Sequence, residues 1–344
     1  MADSAATEPT SSHGMWSKIG LTLGLGAVGL LLFRRYFHGT RSCQSLAQLD
    51  GKTVIVTGAN TGIGRATALE LAHRNARVIL ACRDVQKAES AAEDIRRSTR
   101  SDRVVVKRLD LSSLASVTDF CADVLATEPR LDVLINNAGL AMLPSLTRTQ
   151  DGFEAQFGVN HLGHFLLTNS LLELLGKSSP SARIVVVASS LHKRGRIDFD
   201  DLNSEKSYKP RRAYANSKLA NVLFAQELHR RLQAEKAGVS VYTLHPGVVN
   251  TELSRHAAHP LLVKYLIRPL LWLLLKTPAQ GAQTTVHCAV AGELAAVSGR
   301  YYGNCQEEPF PSVPSLSDGD ADAVAKKLWN VSEELTGLKS ATKQ

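Results

Sequence analysis

Tyr214 and Lys218 stand at i and i+4, so on a helix both side chains project from one face, near enough for the ammonium to act on the phenol. A tyrosine alone titrates near pH ~10, and an adjacent positive charge favours phenolate and pulls that value toward neutrality. A phenol tuned this way is a proton donor suited to carbonyl reduction. An isolated Y-x-x-x-K describes many amphipathic helices, so other residues must decide. One candidate is TGANTGIG over 57–64, which follows a β-branched run and leads into a helical one. Glycines there let backbone approach a pyrophosphate, and the helix N-terminus offers the anion unpaired N–H groups. Its G-x-x-x-G-x-G spacing departs from the G-x-G-x-x-G fingerprint of dinucleotide sites, so spacing alone does not settle its use.

The elements that must position these residues alternate regularly from Leu49 onward. Short β-branched runs are separated by longer amphipathic segments, the pattern of a parallel sheet with crossover helices. Strands are predicted at Thr53 to Thr57, Arg77 to Ala81, Val104 to Arg108, Val133 to Asn136, Arg183 to Ala188, Val239 to Leu244 and Gly299 to Tyr302. The expected fold is an α/β, doubly wound, parallel seven-stranded sheet over 49–310. A closing amphipathic segment, Asp320 to Leu338, is expected to lie over its surface within the C-terminal 311–344. Ligands of such sheets dock outside the carboxyl ends of the strands. That places Asn137, Ala138 and Gly139 after strand four, and Pro246, Gly247, Val248 and Thr251 after strand six, against a cofactor.

In order along the chain, TGANTGIG, NNAG over 136–139, Asn160, the Ser189-Ser190 pair, Tyr214-x-x-x-Lys218 and Pro246-Gly247 resemble the short-chain dehydrogenases/reductases. The stretches FGVNHLGHF over 157–165, SKLANVLF over 217–224 and HPGV over 245–248 resemble the membrane-anchored retinol dehydrogenase branch. The resemblance covers roughly Leu49 to Tyr302. It implies a Rossmann-type fold, an NAD(P)-dependent oxidoreductase, and lipophilic alcohols and aldehydes as substrates. Carried over residue by residue, it makes Tyr214 the acid/base, Lys218 its partner and a ribose ligand, and Asn160 a member of a water-linked proton relay. Ser190 becomes the donor to the substrate oxygen; Ser189 competes, since alternation lets only one of the two face the substrate. Gly58, Asn60, Thr61, Gly62, Ile63 and Gly64 would hold the pyrophosphate side, and Asp110 with Leu111 the adenine side. Helix capping is the alternative use of Asp110.

Cofactor choice turns on ACRD over 81–84, because an acid at the end of strand two binds a free ribose hydroxyl and an arginine accommodates a 2′-phosphate. Cys82 occupies the position of the acid and Arg83 follows, so NADP(H) is expected over NAD(H), with Asp84 still able to reach a ribose. Between Ser190 and Tyr214 runs a polar insertion with Asp198, Asp200, Asp201 and Glu205. Its carboxylates lack EF-hand order, so no metal is expected and a solvated loop is. His192 is read as a surface residue.

Five cysteines without C-x-x-C spacing indicate neither a disulfide framework nor a zinc site. The net charge of +8 is scattered, without a long basic run, which points away from nucleic acid. A polar tail over 1–14 precedes a membrane anchor over 15–36 and a linker over 37–48. The apolar run Ile19 to Phe33 spans only ~22 Å, so Met15 and Trp16 must help it cross. No A-x-A-like cleavage site follows, and Arg34 and Arg35 form a basic flank, which keeps the domain cytosolic. The endoplasmic reticulum is the expected membrane, with the mitochondrial inner membrane as the alternative. From His259 to Lys276, Lys264, Arg268 and Lys276 fall on one side of a wide apolar face, an interfacial pattern over the substrate entrance. A core or dimer helix, and with it a homodimer, is the other reading. A steroid or lipid-aldehyde reductase, or a dinucleotide-binding protein without turnover, are the competing functions.

Overall fold

A computed structural model describes residues 28–29, 42–178, 182–251, 275–295, 297–310 and 318–338. The anchor, apart from Val28 and Gly29, and the interfacial segment, apart from Leu275 and Lys276, lie outside the described residues. Among those described, no helix is long and apolar enough to cross a membrane. The chain divides into two compact units, and residues 41–259 with 276–344 make up the larger.

Its sheet begins with β1 (Thr53–Thr57), β2 (Arg77–Cys82), β3 (Val104–Arg108) and β4 (Val133–Asn136), and continues with β5 (Ala182–Val187), β6 (Val239–His245), β7 (Arg300–Gly303) and β8 (Gln306–Glu308). The order is β3-β2-β1-β4-β5-β6-β7-β8, parallel except for the last pair. Strands β1, β4 and β5 are buried at every position, as befits a sheet covered on both faces. Helices α1 (Gly62–His73) and α2 (Val85–Thr99) contribute to one core layer, built on Val54, Val56, Leu71 and Ile95. Helix α3 (Leu114–Thr127), helix α4 (Gly163–Ser170) and the long α6 (Pro210–Ala234) build the other, on Ile55, Phe120, Phe165 and Phe224, while the short α5 (Leu172–Lys177) leads into β5. Helix α7 (Pro278–Val290) packs on α1, opened by a capping box between Thr277 and Gln280. Strand order reverses between β1 and β4, which pair in register at Val54 and Val133, so the crevice opens there.

One expectation is corrected. Among the described residues the sheet has eight strands, not seven: β7 turns back through Asn304 and Cys305, both at positive φ, to pair antiparallel with β8. An Asn-Cys turn lacks the Asn-Gly hairpin signal, and the strand QEE is wholly polar. The closing helix α8 (Asp318–Thr336) is amphipathic, burying Ala325, Leu328, Trp329 and Ser332 and leaving Lys326, Lys327 and Glu334 exposed. Trp329 stands edge-on to Phe165 at 4.9 Å and stacks on Phe224 at 5.8 Å, with the Arg231 guanidinium over its ring. The preceding residues 42–48 run extended along the domain, where Arg74 donates to the Ser45 and Ala47 carbonyls.

Candidate active site

A cavity of about 880 Å³ opens at the carboxyl ends of β1, β2 and β4. Its walls include Gly58, Asn60, Thr61, Gly62, Ile63 and Gly64 of the turn before α1, then Arg83, Asp110 and Leu111, the trio Asn137, Ala138 and Gly139, and Thr251. The turn is built for close approach. Gly58 and Gly62 take positive φ, and a Cβ on Gly64 would lie 2.4 Å from the Gly58 carbonyl oxygen and 2.6 Å from Asn137 Nδ2. Thr61 caps α1 without a side-chain hydrogen bond, leaving the helix N-terminus free to meet an anion. These features fit the diphosphate of a dinucleotide. Arg83, Arg65 and Lys87 are the basic residues among the cavity's walls. Arg65 is tethered to Asp94 at 2.8 Å, and neither it nor Lys87 was anticipated from sequence. The Cys82 thiol is pushed up to about 11 by burial, so a neutral group occupies the position where an acid would repel a phosphate. Asp84 is also a wall of the cavity, and its carboxylate caps α2 through the Lys87 N–H. Asp110 is not the cap of α3; Ser113 is, and Asp110 accepts from the Ser112 N–H and hydroxyl.

Lys218 and Asn160 meet beneath Gly139, where a Cβ would lie 3.1 Å from Asn160 Oδ1 and 3.6 Å from Lys218 Nζ, so a side chain at this wall would press on Asn160. Tyr214 and Lys218 share the inner face of α6, with Nζ 5.9 Å from the phenol ring centre. Lys218 donates to the Val187 carbonyl at 2.9 Å, and burial lowers its ammonium to about 8. Asn160 sits in a π-helical turn, Gly158–Leu162, a widening of the coil often found at functional sites. Its amide accepts from Leu140 N–H and donates to the Leu140 carbonyl and to Ser217 Oγ. The expected depression of the Tyr214 pKa is not found: burial raises it, and a hydrogen bond with Ser189 opposes that rise. Removal from water disfavours phenolate, so Tyr214 holds its proton at neutral pH.

The two serines stand in different settings. Ser189, half-buried, faces Tyr214, whereas Ser190 is exposed. Strand β5 ends at Val187, so the alternation that would sort the two serines has already stopped. Ser189 instead caps a 3₁₀ turn, Ser190–Arg194, accepting from the Leu191 N–H while keeping its own proton to give. His192 is likewise not a surface residue. It is fully buried, edge-on to Tyr301, with Nδ1 against the Ser189 carbonyl. In the polar insertion, Asp201 accepts from the Glu205 N–H and Tyr208 donates to the Leu143 carbonyl. Ile197, Phe199 and Leu202 anchor it against Leu162 and Leu219. Among the described residues no group of acids, histidines or cysteines could hold a metal.

Pro246, Gly247 and Val248 are not among the cavity's walls; Gly247 turns at positive φ and Val248 is exposed. Two residues outside the sequence reading stand at the junction of the site. Thr57 receives the Asn137 and Ala138 N–H groups, and His164 lies one helical turn from Asn160. The i, i+4 spacing of Asn160 and His164 was the available signal.

The short chain dehydrogenase profile matches residues 52–261. The chain belongs to the short-chain dehydrogenase/reductase family. Within it, the chain falls in the retinol dehydrogenase branch: it is 53% identical to human (Homo sapiens) retinol dehydrogenase 14 over 303 residues, covering 84% of this chain and 88% of the relative. Among solved structures, an uncharacterized protein of Mycobacterium paratuberculosis is 35% identical, with TM-score 0.67 over 87% of this chain and 98% of that one. A short-chain dehydrogenase of Shigella flexneri 2a complexed with NADP is 25% identical, with TM-score 0.61 over 76% and 100%.

Proposed function

We propose that the protein is a membrane-anchored, NADP(H)-dependent oxidoreductase that interconverts a lipophilic alcohol and its carbonyl, of the retinol/retinal class. The observation that carries the proposal is the meeting of Ser189, Tyr214, Lys218 and Asn160 beside the dinucleotide cavity. In reduction, the bound nicotinamide supplies the hydride. Ser189 donates a hydrogen bond to the substrate oxygen, and Tyr214 donates another and then its proton, so that the growing charge is neutralised as the alcohol forms. Lys218 holds the ribose and faces Tyr214 with its charge, and Asn160 fixes the wall through which the proton is replaced. Oxidation runs the same transfers backward. The NADP(H) reading rests on Arg83, a basic wall of the cavity together with Arg65 and Lys87, and on the neutral Cys82. The retinoid reading rests on relatives that carry that name.

The anchor over 15–36 would hold the domain on the cytosolic face of the endoplasmic reticulum, or of the mitochondrial inner membrane on its matrix side, as a monomer or homodimer. Substrate-dependent NADPH oxidation across retinal, steroid ketones and alkanals tests the substrate class. Preference for retinal supports it, and preference for a steroid ketone replaces it with the steroid reading. Deleting residues 1 to 40 should release the protein from membranes while leaving reduction of a short, soluble aldehyde intact. A truncated protein that still pellets in high salt contradicts the single anchor.

A further inference from the structure

Thr57 ends β1 with its side chain fully buried, and the hydrogen bonds around it can be counted to completion. Its hydroxyl oxygen accepts from Asn137 N–H and from Ala138 N–H, each at 2.9 Å, which uses both lone pairs. Its single proton has two acceptors in range: His164 Nε2 at 2.9 Å and the more distant Ile135 carbonyl at 3.3 Å. The other ring nitrogen, His164 Nδ1, is 3.0 Å from the Asn160 carbonyl oxygen. That oxygen can only accept, so Nδ1 carries the ring proton and Nε2 is left to accept from Thr57. One neutral tautomer satisfies every partner. Burial, aided by the charge of Lys218, lowers the His164 pKa to about 4, so the ring stays neutral through the physiological range.

The consequence is mechanical. Asn137 and Ala138 are walls of the dinucleotide cavity, and Asn160 belongs to the cluster around Tyr214 and Lys218. His164 touches both groups, through Thr57 on one nitrogen and the Asn160 backbone on the other, in addition to the bonds of the Asn160 amide to Leu140. His161, three residues earlier on the same coil, contrasts with it: its Nε2 meets Ser332 of α8, and its ring packs among Phe157, Phe165 and Phe224. Its contacts are those of a core residue.

We propose that His164 is a positioning residue that locks the Asn137-Ala138 wall to Asn160, so that cofactor seating and the proton-transfer cluster keep one register. This rests on the oxidoreductase reading for what the cluster does, but not for what His164 holds. The two ends separate by substitution. The amide of asparagine reaches the place of Nδ1, and that of glutamine the place of Nε2. His164→Asn keeps the bond to Asn160 and loses Thr57, so NADPH affinity, read by fluorescence, should fall about 5- to 10-fold, the loss of one hydrogen bond. Its single-turnover rate at saturating NADPH should stay within about 3-fold of the unmutated protein. His164→Gln keeps Thr57 and frees Asn160, so affinity should hold and the single-turnover rate should fall about 10-fold.

Thr57→Val supplies a second route. With the hydroxyl gone, adding His164→Asn should cost no further NADPH affinity, the non-additivity of two residues sharing one bond. Equal losses of affinity in the Asn and Gln variants, unchanged affinity in His164→Asn, or additive losses in the double variant would each overturn the proposal. Absence of turnover in the unmutated protein would sink the oxidoreductase reading alone, because the affinity comparison and the double variant still decide the role of His164.

Discussion

The two sides of the crevice are assembled by different means. On the dinucleotide side, the turn over 57–64 is shaped by glycines close together in the chain, two at positive φ and a third pressed against the Gly58 carbonyl. Its form follows from local backbone freedom. On the catalytic side, Asn160, Ser189, Tyr214 and Lys218 come from a π-helical turn, the cap of a 3₁₀ turn and a long helix. Their relation exists only once the layers on that face of the sheet have packed. Local geometry can be read from neighbours, whereas assembled geometry depends on where each element stops.

The largest test of that contrast is Tyr214→Phe, which removes one hydroxyl from the assembled side. Turnover should fall roughly 10²- to 10⁴-fold while NADPH affinity is unchanged. Lys218→Met should impair both, since Lys218 is assigned to the ribose as well. Steady-state rates beside fluorescence titration separate the two signatures; a parallel loss in both variants would erase the distinction between the sides.

The serines sharpen the comparison. Ser189→Ala should lower kcat roughly 10²- to 10³-fold, the scale of a lost oxyanion donor, and Ser190→Ala should stay within about 2-fold, the range of an exposed side chain. The reverse ranking would return the role to Ser190. On the dinucleotide side, Arg83→Glu should weaken NADPH binding about 10- to 150-fold and spare NADH, because a charge-assisted contact is worth roughly 1.5 to 3 kcal/mol. Equal loss of both cofactors would remove Arg83 from 2′-phosphate recognition.

The smallest effect concerns pH. Lys218 titrates at about 8 in the folded protein, lowered by burial from the ordinary 10.5. Between those values the unfolded chain binds the extra proton, so the Lys218 contribution to stability rises with pH from about 8 to 10.5 and is least favourable below 8. The thermal midpoint of the unmutated protein should therefore gain on that of Lys218→Met across this range. NADPH affinity should move the opposite way, declining above about pH 8 as the ammonium is lost. A flat difference in midpoints would contradict the burial of this lysine.

Much of this was legible before folding. Strands β1, β3 and β4 match their expected bounds residue for residue; β1 and β4 do so because buried parallel strands read as continuous apolar runs, and β3 through its Val104 to Val106 run. The phosphate turn and the Tyr214 to Lys218 spacing were equally plain. The choice between Ser189 and Ser190 was not legible from alternation, because β5 ends at Val187 and a 3₁₀ turn follows. His192 was misread for a related reason: burial behind Tyr301 is a tertiary fact that residue type does not carry. The eighth strand escaped because its residues are all polar and its pairing comes from the hairpin alone.

The central claim is that this cluster moves a hydride's companion proton onto a lipophilic carbonyl. It is tested most directly by single-turnover reduction of retinal with NADPH deuterated at the nicotinamide C4. Deuterium in the retinol product of the unmutated protein, at a rate at least about 100-fold above that of Tyr214→Phe at equal cofactor occupancy, is the outcome predicted here. Transfer at similar rates in both proteins would contradict the account.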